Sequence, residues 1–260
     1  MFGRNDPCWC GSEKKWKKCH YPKGAPPEKR RSVIIKEYKE KFNILIKDDK
    51  EIEGIRSSGH LAAKILDATI RASKEGVTTE DLNKLAQQLH EDAGAIPAPL
   101  NYGHPPFPKS ICTSLNDVVC HGIPDNIPLV NGDILNIDVT CIHHGYYGDC
   151  SRMVVIGDET SSERQKGVDI SLQCLLRSIA ILKPGVLLSE IGSLIEAYAH
   201  TQKCSVVHQF VGHGVGVSFH EAPQIHHNVN DLHIPLIPGM TFTIEPMINA
   251  GVEEAIIDSN

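Results

Sequence analysis

The sequence lacks three features that would place the chain in other classes of protein. It has no run of about 18 apolar residues, the minimum for a helix that spans a bilayer. Its polar N-terminus has no apolar stretch of about 7–15 residues, so no signal peptide is visible. Its nine cysteines are an odd number, three near the N-terminus and six scattered, which argues against a disulfide framework. We therefore predict a globular protein without membrane contact in a reducing cytoplasm.

Charge is distributed unevenly along the chain. Residues 1–50 contain 14 Lys or Arg against 7 Asp or Glu, although the whole chain carries a net charge of −6. The N-terminal part is therefore a basic appendage on an acidic domain. A Lys-rich stretch is usually a solvated surface, but such a module also suits contact with nucleic acid or a ribosome.

The appendage contains cysteines and a histidine at the spacing of a zinc site. Cys8 and Cys10 are followed after eight residues by Cys19 and His20. Three thiolates and one imidazole suit a closed, tetrahedral structural zinc, and about twenty residues this polar could not fold by hydrophobic burial alone. Free surface thiols are the alternative. We predict a zinc-binding module over residues 1–22.

Carboxylates stand at the ends of two apolar runs in the main part of the chain. Asp138 ends the run 135–138, Asp149 follows eleven positions later, and Glu245 ends the run 242–245. A buried, ionised carboxylate is costly unless it is paired or binds metal, and neither run has a Lys or Arg near it in sequence. Together with His213 these carboxylates form an oxygen-rich set that suits a pair of hydrolytic divalent ions.

The sequence also repeats itself. Similar segments occur in the same order in each half, at offsets of 109, 99 and 107 residues: 74–77 with 183–186, 121–124 with 220–223, and Gly132 with Gly239. The last offset aligns Asp138 with Glu245. Chance matching of Gly and Pro is the alternative reading. We predict two duplicated halves that face each other across a quasi-twofold axis.

Periodicity and capping residues predict four helices and six strands in this part. The helices begin near Asp48, after Thr78, at Ser162 and after Ser189, and the first three end near residues 70, 94 and 182. The strands are expected at 110–120, 133–141, 146–155, 206–211, 219–224 and 240–248. The Pro-rich residues 97–108 should form a loop beside the strands, where they can wall a pocket.

Specific motifs carry a resemblance that runs from about residue 36 to the end. They are FPKS at 107–110, NDVVCHGIP at 116–124, GDILNIDV at 132–139, GDCS at 148–151, GHGVG at 212–216, FHEAP at 219–223 and GMTFTIEP at 239–246. In these motifs the chain resembles the bacterial type I methionine aminopeptidases. Residues 3–20 resemble the short zinc motif at the C-terminus of the bacterial preprotein-translocase motor, which implies an accessory module that binds partners.

The resemblance implies the pita-bread fold. This is a mixed α/β fold in which helices and an antiparallel sheet are segregated, as in the α+β class. Two pseudo-twofold halves would share an antiparallel-rich, curved sheet covered by helices, in a domain over residues 36–260. A linker over residues 23–35 would connect this domain to the zinc module.

The resemblance also implies a role for each candidate site residue. Asp138, Asp149, His213 and Glu245 would hold two divalent ions, drawn from Co, Mn, Fe or Zn, and Glu245 would also move a proton from water toward the leaving amine. His220 would stabilise the carbonyl oxygen as charge develops, and His121 would contact the scissile amide. In isolation, structural hydrogen bonding is the commoner role of such histidines.

Three further residues, Phe107, Cys112 and Phe219, would by resemblance line the pocket for the methionine side chain. Core packing is the alternative for all three. The family carries Tyr where Phe107 stands, a conservative departure.

A larger departure concerns the last metal ligand. The family supplies a bridging Glu on a strand well after the Glu245 motif, and this sequence ends at Asn260 before it. As written, we expect weak binding of the second ion and an exposed sheet edge.

Three functions are therefore compatible with the sequence. The leading one is removal of the initiator methionine from nascent proteins by a cytoplasmic, monomeric metallo-aminopeptidase, with ribosome contact through the basic module. The second is an Xaa-Pro aminopeptidase on the same fold. The third is a non-catalytic adaptor that binds a ribosome or chaperone.

Overall fold

The computed structural model describes Asn5, residues 14–19 and residues 27–257. Its helices are α1 (Trp16–Cys19), α2 (Pro27–Phe42), α3 (Asp49–Ala72), α4 (Thr79–Asp92), α5 (Ser162–Ile181) and α6 (Leu188–Thr201). Its strands are β1 (Ile96–Pro97), β2 (Cys112–Leu115), β3 (Ile134–His143), β4 (Tyr146–Val155), β5 (Ser205–Val206), β6 (Gly212–Gly214), β7 (Glu221–Ile225) and β8 (Ile248–Asn249). Within these ranges no helix is long and apolar enough to cross a membrane.

The first half is an antiparallel sheet covered by two helices. Strand β3 is its centre, pairing with β4 along its whole length and with β2 and β1 on its other edge. Helices α3 and α4 pack on this sheet around a core that includes Leu66, Leu82, Ile111 and Ile137. The contact between α3 and β4 is close, because a Cβ on Gly148 would collide with the backbone of Ser58. This half holds the long strands rigidly against a helix.

The second half has the same helix scheme but shorter strands. Helices α5 and α6 pack on each other, and their buried core includes Ile170, Cys174, Ile191 and Ile195. Two strand pairs accompany them, β5 with β8 and β6 with β7, the latter with an irregularity between His213 and Gly214. The predicted duplication thus appears as two helix-covered units, each with its own core.

Matched hydrogen bonds confirm the duplication. Gly76 N–H donates to Leu129 O at 2.8 Å, and its counterpart Gly185 N–H donates to Leu236 O at 2.9 Å. The bridges Thr78 to Pro128 and Leu187 to Pro235 are also counterparts, since their members differ by 109 and 107 residues. The offsets in the sequence therefore correspond to the same turn built twice.

Several predicted elements are confirmed, and others need correction. Helices α3 and α4 begin with the capping boxes of Asp48 with Glu51 and Thr78 with Asp81. Helix α5 is capped by Ser161, one residue before the predicted Ser162. Helix α6 starts earlier than predicted, because the Glu190 carboxylate accepts the N–H of Leu187 at 2.8 Å and Ser189 lies in the first turn. Ser189 is thus an ordinary helical residue.

The linker and the last strand also differ from the predictions. Helix α2 covers the second part of the predicted linker, because Pro27 suits a first helical position and the following charged residues favour a helix. The predicted strand 240–248 is largely irregular. Only Ile248 belongs to a strand, and Phe242 makes an isolated bridge to Gly214. Beside β6 this segment is held partly by a side chain, because the N–H of His213 donates to the Thr243 hydroxyl at 2.9 Å.

Candidate metal centre

The two aspartates lie on one face of the first sheet. Asp149 on β4 stands opposite Thr140 on β3, and Asp138 lies two residues before Thr140. Side chains two positions apart on a strand share a face, so both carboxyl groups point to the same side. They interact with each other there, and Asp138 also stands opposite Cys112 of β2.

The second half supplies His213 and Glu245 to the same place. The Nε2 atom of His213 lies 3.6 Å from Asp149 Oδ2 and 3.6 Å from Glu245 Oε1. Its Nδ1 lies 3.0 Å from the carbonyl oxygen of Gly214, which accepts the ring proton and leaves the Nε2 lone pair facing the carboxylates. Thr243 joins the two residues, because its hydroxyl accepts the N–H of His213 at 2.9 Å and donates to Glu245.

Burial perturbs the acid groups strongly. Desolvation raises the pKa of Asp138 well above its usual range, and the neighbouring Asp149 and Glu245 raise it further. Burial also raises the pKa of Asp149, opposed by His213, and raises that of Glu245 to about 7. Three carboxyl groups in one desolvated space favour protonation unless positive charge is added.

The donor chemistry of the cluster fits divalent ions. Asp138 Oδ1 is buried and has no hydrogen-bond partner among the described residues. No Lys or Arg within the described part forms a salt bridge with Asp138, Asp149 or Glu245, although His213 approaches two of them. A cation would replace the protons that burial otherwise retains on these oxygens. Among the described residues, no three Asp, Glu, His or Cys side chains are arranged closely enough to form a ready-made metal site.

Two histidines flank this cluster. The ring of His220 lies 4.2 Å from that of His213, and its Nδ1 lies 2.8 Å from the hydroxyl oxygen of Tyr102. Burial lowers the pKa of His220 to about 4, helped by His213 and His121. Burial and His213 also lower the pKa of His121, whose ring meets Phe210 edge-on at 5.5 Å. Both imidazoles are therefore neutral near pH 7.

The family model for metallopeptidase family M24 matches residues 53–257. The chain belongs to metallopeptidase family M24. It is 58% identical over 255 residues to a methionine aminopeptidase of Chlamydia trachomatis, covering 98% of this chain and 87% of that protein. A methionine aminopeptidase of Rickettsia prowazekii is 45% identical over 217 residues, with 83% of each covered.

Solved structures of the M24 family have the same fold. The crystal structure of the Rickettsia prowazekii enzyme matches with a TM-score of 0.80 at 44% identity, covering 83% of this chain and 86% of that one. A methionine aminopeptidase from Thermotoga maritima matches with a TM-score of 0.79 at 29% identity, covering 83% and 86%. The predicted fold class is thereby confirmed. At the N-terminus, residues 4–22 match the SEC-C motif.

Of the three predicted pocket residues of this M24 chain, two lie beside the cluster. Phe219 contacts His213 with ring centroids 6.3 Å apart and stacks on Tyr147 at 6.1 Å. Cys112 adjoins Asp138, and burial together with that carboxyl group raises the pKa of its thiol. Phe107 lies in the loop, where its N–H donates to Tyr102 O at 2.8 Å.

Sequence reasoning missed several residues of the M24 site. Tyr102 lies in the Pro-rich loop and contacts Phe219 as well as His220, with ring centroids 4.8 Å and 5.1 Å apart. His227 accepts the backbone N–H of Glu245 at 3.2 Å through Nε2, and burial lowers its pKa to about 4. Thr243 alone had a local signal, since it lies two residues before Glu245 and hence on the same face of an extended chain.

Of the predicted structural zinc ligands, the described residues contain only Cys19, at the end of α1 and half-exposed. Cys8, Cys10 and His20 lie outside the described residues. The zinc site therefore stays a prediction.

Proposed function

We propose that this protein hydrolyses the first peptide bond of polypeptides that begin with methionine and so releases the initiator residue from nascent chains. The observation that carries the proposal is the meeting of Asp138, Asp149, Glu245 and His213 from two duplicated halves. The sequence relatives named methionine aminopeptidase support the substrate. Solved structures of an Xaa-Pro dipeptidase, an X-Pro aminopeptidase and two prolidases match at 22–24% identity, which supports only the fold.

The proposed ligand set is Asp138, Asp149, His213 and Glu245, which would hold two divalent ions drawn from Mn, Fe, Co or Zn. Bound ions would supply Lewis-acid polarisation of the scissile carbonyl and a water of lowered pKa. Glu245 is assigned the transfer of a proton from the attacking water toward the leaving amine, because its carboxyl group lies in the same cluster, 3.6 Å from His213 Nε2. Thr243 holds that carboxyl group in place through its hydroxyl.

We assign His220 to the developing charge on the carbonyl oxygen. If the Tyr102 hydroxyl donates to Nδ1, the neutral imidazole carries its proton on Nε2 and can donate it to an oxyanion. A pKa of about 4 keeps the ring from becoming a cation beside the metal ligands. His121, on the other flank, is assigned to the scissile amide.

We assign the methionine side chain to the space beside Phe219 and Cys112, with Phe107 and the loop 97–108 as its wall. A flexible thioether packs well against aromatic rings and a neutral thiol. Burial keeps the Cys112 thiol protonated, so it acts as a packing surface.

Hydrolysis of Met-Ala-Ser after removal and return of single divalent ions tests this function. We expect turnover with Mn²⁺ or Co²⁺, loss of at least about 100-fold in Asp149→Asn, and ordinary turnover in Asp67→Asn, whose carboxylate pairs with Arg152 on the surface. Calorimetric titration with Mn²⁺ should show binding in the wild type that is lost in Asp149→Asn. Cleavage of Xaa-Pro peptides instead would favour that substrate class, and no cleavage at all would favour an adaptor.

The N-terminal module is proposed to bind one zinc through Cys8, Cys10, Cys19 and His20 and to contact a partner such as the ribosome. We expect Cys8→Ser/Cys10→Ser to release one zinc by mass spectrometry and to leave tripeptide turnover unchanged. A collapse of turnover would make the module part of the active domain. We also propose a monomer in the cytoplasm. The six cysteines from Cys112 to Cys204 are unpaired, which suits a reducing compartment.

A further inference from the structure

A buried ion pair lies behind the rim of the site. The side chains of Lys47 and Glu221 are only 1% and 4% exposed, and Lys47 Nζ donates to Glu221 Oε2. The partners are 174 residues apart, and Lys47 precedes the residues that match the family model. A buried ion pair adds little stability compared with an apolar pair of similar volume, because both charges must be desolvated. Its presence here therefore calls for another physical role.

Glu221 also forms hydrogen bonds to the loop of residues 216–220, which carries two residues of the site. Its second oxygen, Oε1, accepts the backbone N–H groups of Val217 and Ser218, each at 2.7 Å. Phe219 and His220 follow immediately in the chain. Charge-assisted hydrogen bonds to two successive amides fix the backbone direction from which these rings project.

Lys47 is itself anchored to the second half and to its own segment. Its backbone N–H donates to Gly239 O at 2.9 Å, and Nζ also donates to Leu45 O at 3.3 Å. At the start of this loop, Gly216 O accepts the N–H of Tyr147 at 2.8 Å. Tyr147 lies on β4, two residues before Asp149. The lysine, the loop and the strand that bears Asp149 are therefore tied together by hydrogen bonds.

We propose that the Glu221 carboxyl group, whose charge Lys47 balances, is a positioning group: by accepting the N–H groups of Val217 and Ser218 it holds residues 217–220 so that Phe219 and His220 lie against His213. The ring contacts that depend on this placement are His220 with His213 at 4.2 Å and Phe219 with His213 at 6.3 Å. Neither Lys47 nor Glu221 is assigned contact with substrate. The kinetic consequence rests on the proposed function, whereas the structural consequence, an immobilised loop, does not.

Two double variants separate positioning from packing. Lys47→Met/Glu221→Leu removes both charges and the acceptor of the two amides. Lys47→Met/Glu221→Gln also removes both charges but retains a carbonyl oxygen for those amides, and serves as the matched control. Each variant of the 260-residue chain is compared with the wild type by thermal unfolding, by amide hydrogen exchange of residues 215–222 and by steady-state hydrolysis of Met-Ala-Ser with Mn²⁺.

We expect both double variants to fold, with the Leu variant showing exchange at Val217 and Ser218 about 10–100-fold faster. Its kcat should fall about 10–100-fold with little change in KM, since the rings would be misplaced for the reaction. The Gln variant should recover most of the protection and most of kcat. Wild-type exchange and kcat in the Leu variant, or equal losses in both variants, would overturn the proposal.

The wild type provides an independent check if the Leu variant does not fold. Ser218 is an exposed residue, so its amide should exchange rapidly unless Glu221 holds it. Slow exchange at Ser218 supports the proposal, and exchange at the rate of a free loop amide refutes it. If exchange behaves as expected but no variant or wild type cleaves the peptide, the proposed function fails and the positioning stands.

Discussion

At the scale of single residues, the site is controlled by neighbours that do not belong to the predicted ligand set. The Gly214 carbonyl fixes the tautomer of His213, Thr243 links His213 to Glu245, and His227 accepts the N–H of Glu245. Such supporting hydrogen bonds set the direction and basicity of metal ligands. The predicted ligands therefore act as part of a larger network.

Glu245 should make the stability of the metal-free protein depend on pH. Its pKa rises from 4.5 to about 7 on folding, so between these values the folded state retains a proton that the unfolded chain has lost. Stability then falls as pH rises through this window. Relative to Glu245→Gln, we expect the wild type to lose about 2 kcal/mol between about pH 5 and pH 8, by urea unfolding in chelator. A gap between the two proteins that stays constant would contradict this.

Thr243 should support metal binding without touching the metal. In Thr243→Val the link between His213 and Glu245 is lost, so we expect Mn²⁺ affinity to fall about 10–100-fold by calorimetry. The control is Thr241→Val, which lies two residues earlier and loses only a hydrogen bond to Val215 O. Equal affinities in the two variants would show that the Thr243 hydroxyl has no special role.

At the scale of elements, the equivalent helices α4 and α6 begin at matching positions of the repeat but have different N-cap residues. Thr78 caps α4 with its hydroxyl, whereas the equivalent Leu187 of α6 offers only its N–H to Glu190. The acidic residue at the third helical position is common to both. Both helices therefore have the hydrogen bond from the N-cap N–H to the acidic side chain, and only α4 also has a side-chain hydroxyl cap.

The Thr78 cap should have a measurable value. Its hydroxyl oxygen accepts the N–H of Asp81 at 3.0 Å, an amide whose other acceptor is the Thr78 carbonyl oxygen at 3.1 Å. We expect Thr78→Ala to lower the free energy of unfolding by about 1 kcal/mol and Thr78→Ser to retain most of it, measured by urea unfolding. Equal destabilisation by Ala and Ser would attribute the effect to the lost methyl group.

At the scale of the whole molecule, the second half docks against the segment that precedes α3. The hydroxyl of Tyr38 donates to Pro235 O at 2.7 Å, and Lys47 N–H donates to Gly239 O. Gly239 is in contact with that segment, because an added Cβ would lie 2.7 Å from Ile46 Cγ2 and 2.8 Å from Lys47 O. This close approach holds the two halves of the site at a fixed separation.

Two glycine substitutions should separate the energetic contribution of the close contact at Gly239 from that of backbone strain. Gly239 and Gly185 have similar left-handed backbones, with φ of +99° and +96°, but an added Cβ on Gly185 meets nothing within 4 Å. We expect Gly185→Ala to destabilise the protein by about 1–2 kcal/mol through backbone strain alone. Gly239→Ala should cost roughly 1–3 kcal/mol more and weaken Mn²⁺ binding. Equal thermal shifts for the two would mean that the contact yields easily.

Much of the architecture was predictable because it depends on signals in short stretches of the sequence. Capping residues at Asp48 and Thr78 mark the starts of α3 and α4, and the repeat offsets identify the duplicated turns. The error at Ser189 arose because a serine resembles a cap, whereas the repeat itself points to Leu187. The irregular segment at 240–248 was missed because its apolar alternation is that of a strand, although its contact with His213 is made partly by the Thr243 side chain.

The sequence by itself determined the two halves, their helix starts and the carboxylates that lack a nearby counter-charge. These are properties of short windows and of internal repetition, which need no knowledge of distant contacts. Only the tertiary structure decided that Tyr102 meets His220 across 118 residues and that Lys47 meets Glu221 across 174. Such pairs produce no periodic pattern in the sequence, because the two partners come together only when distant segments pack against each other.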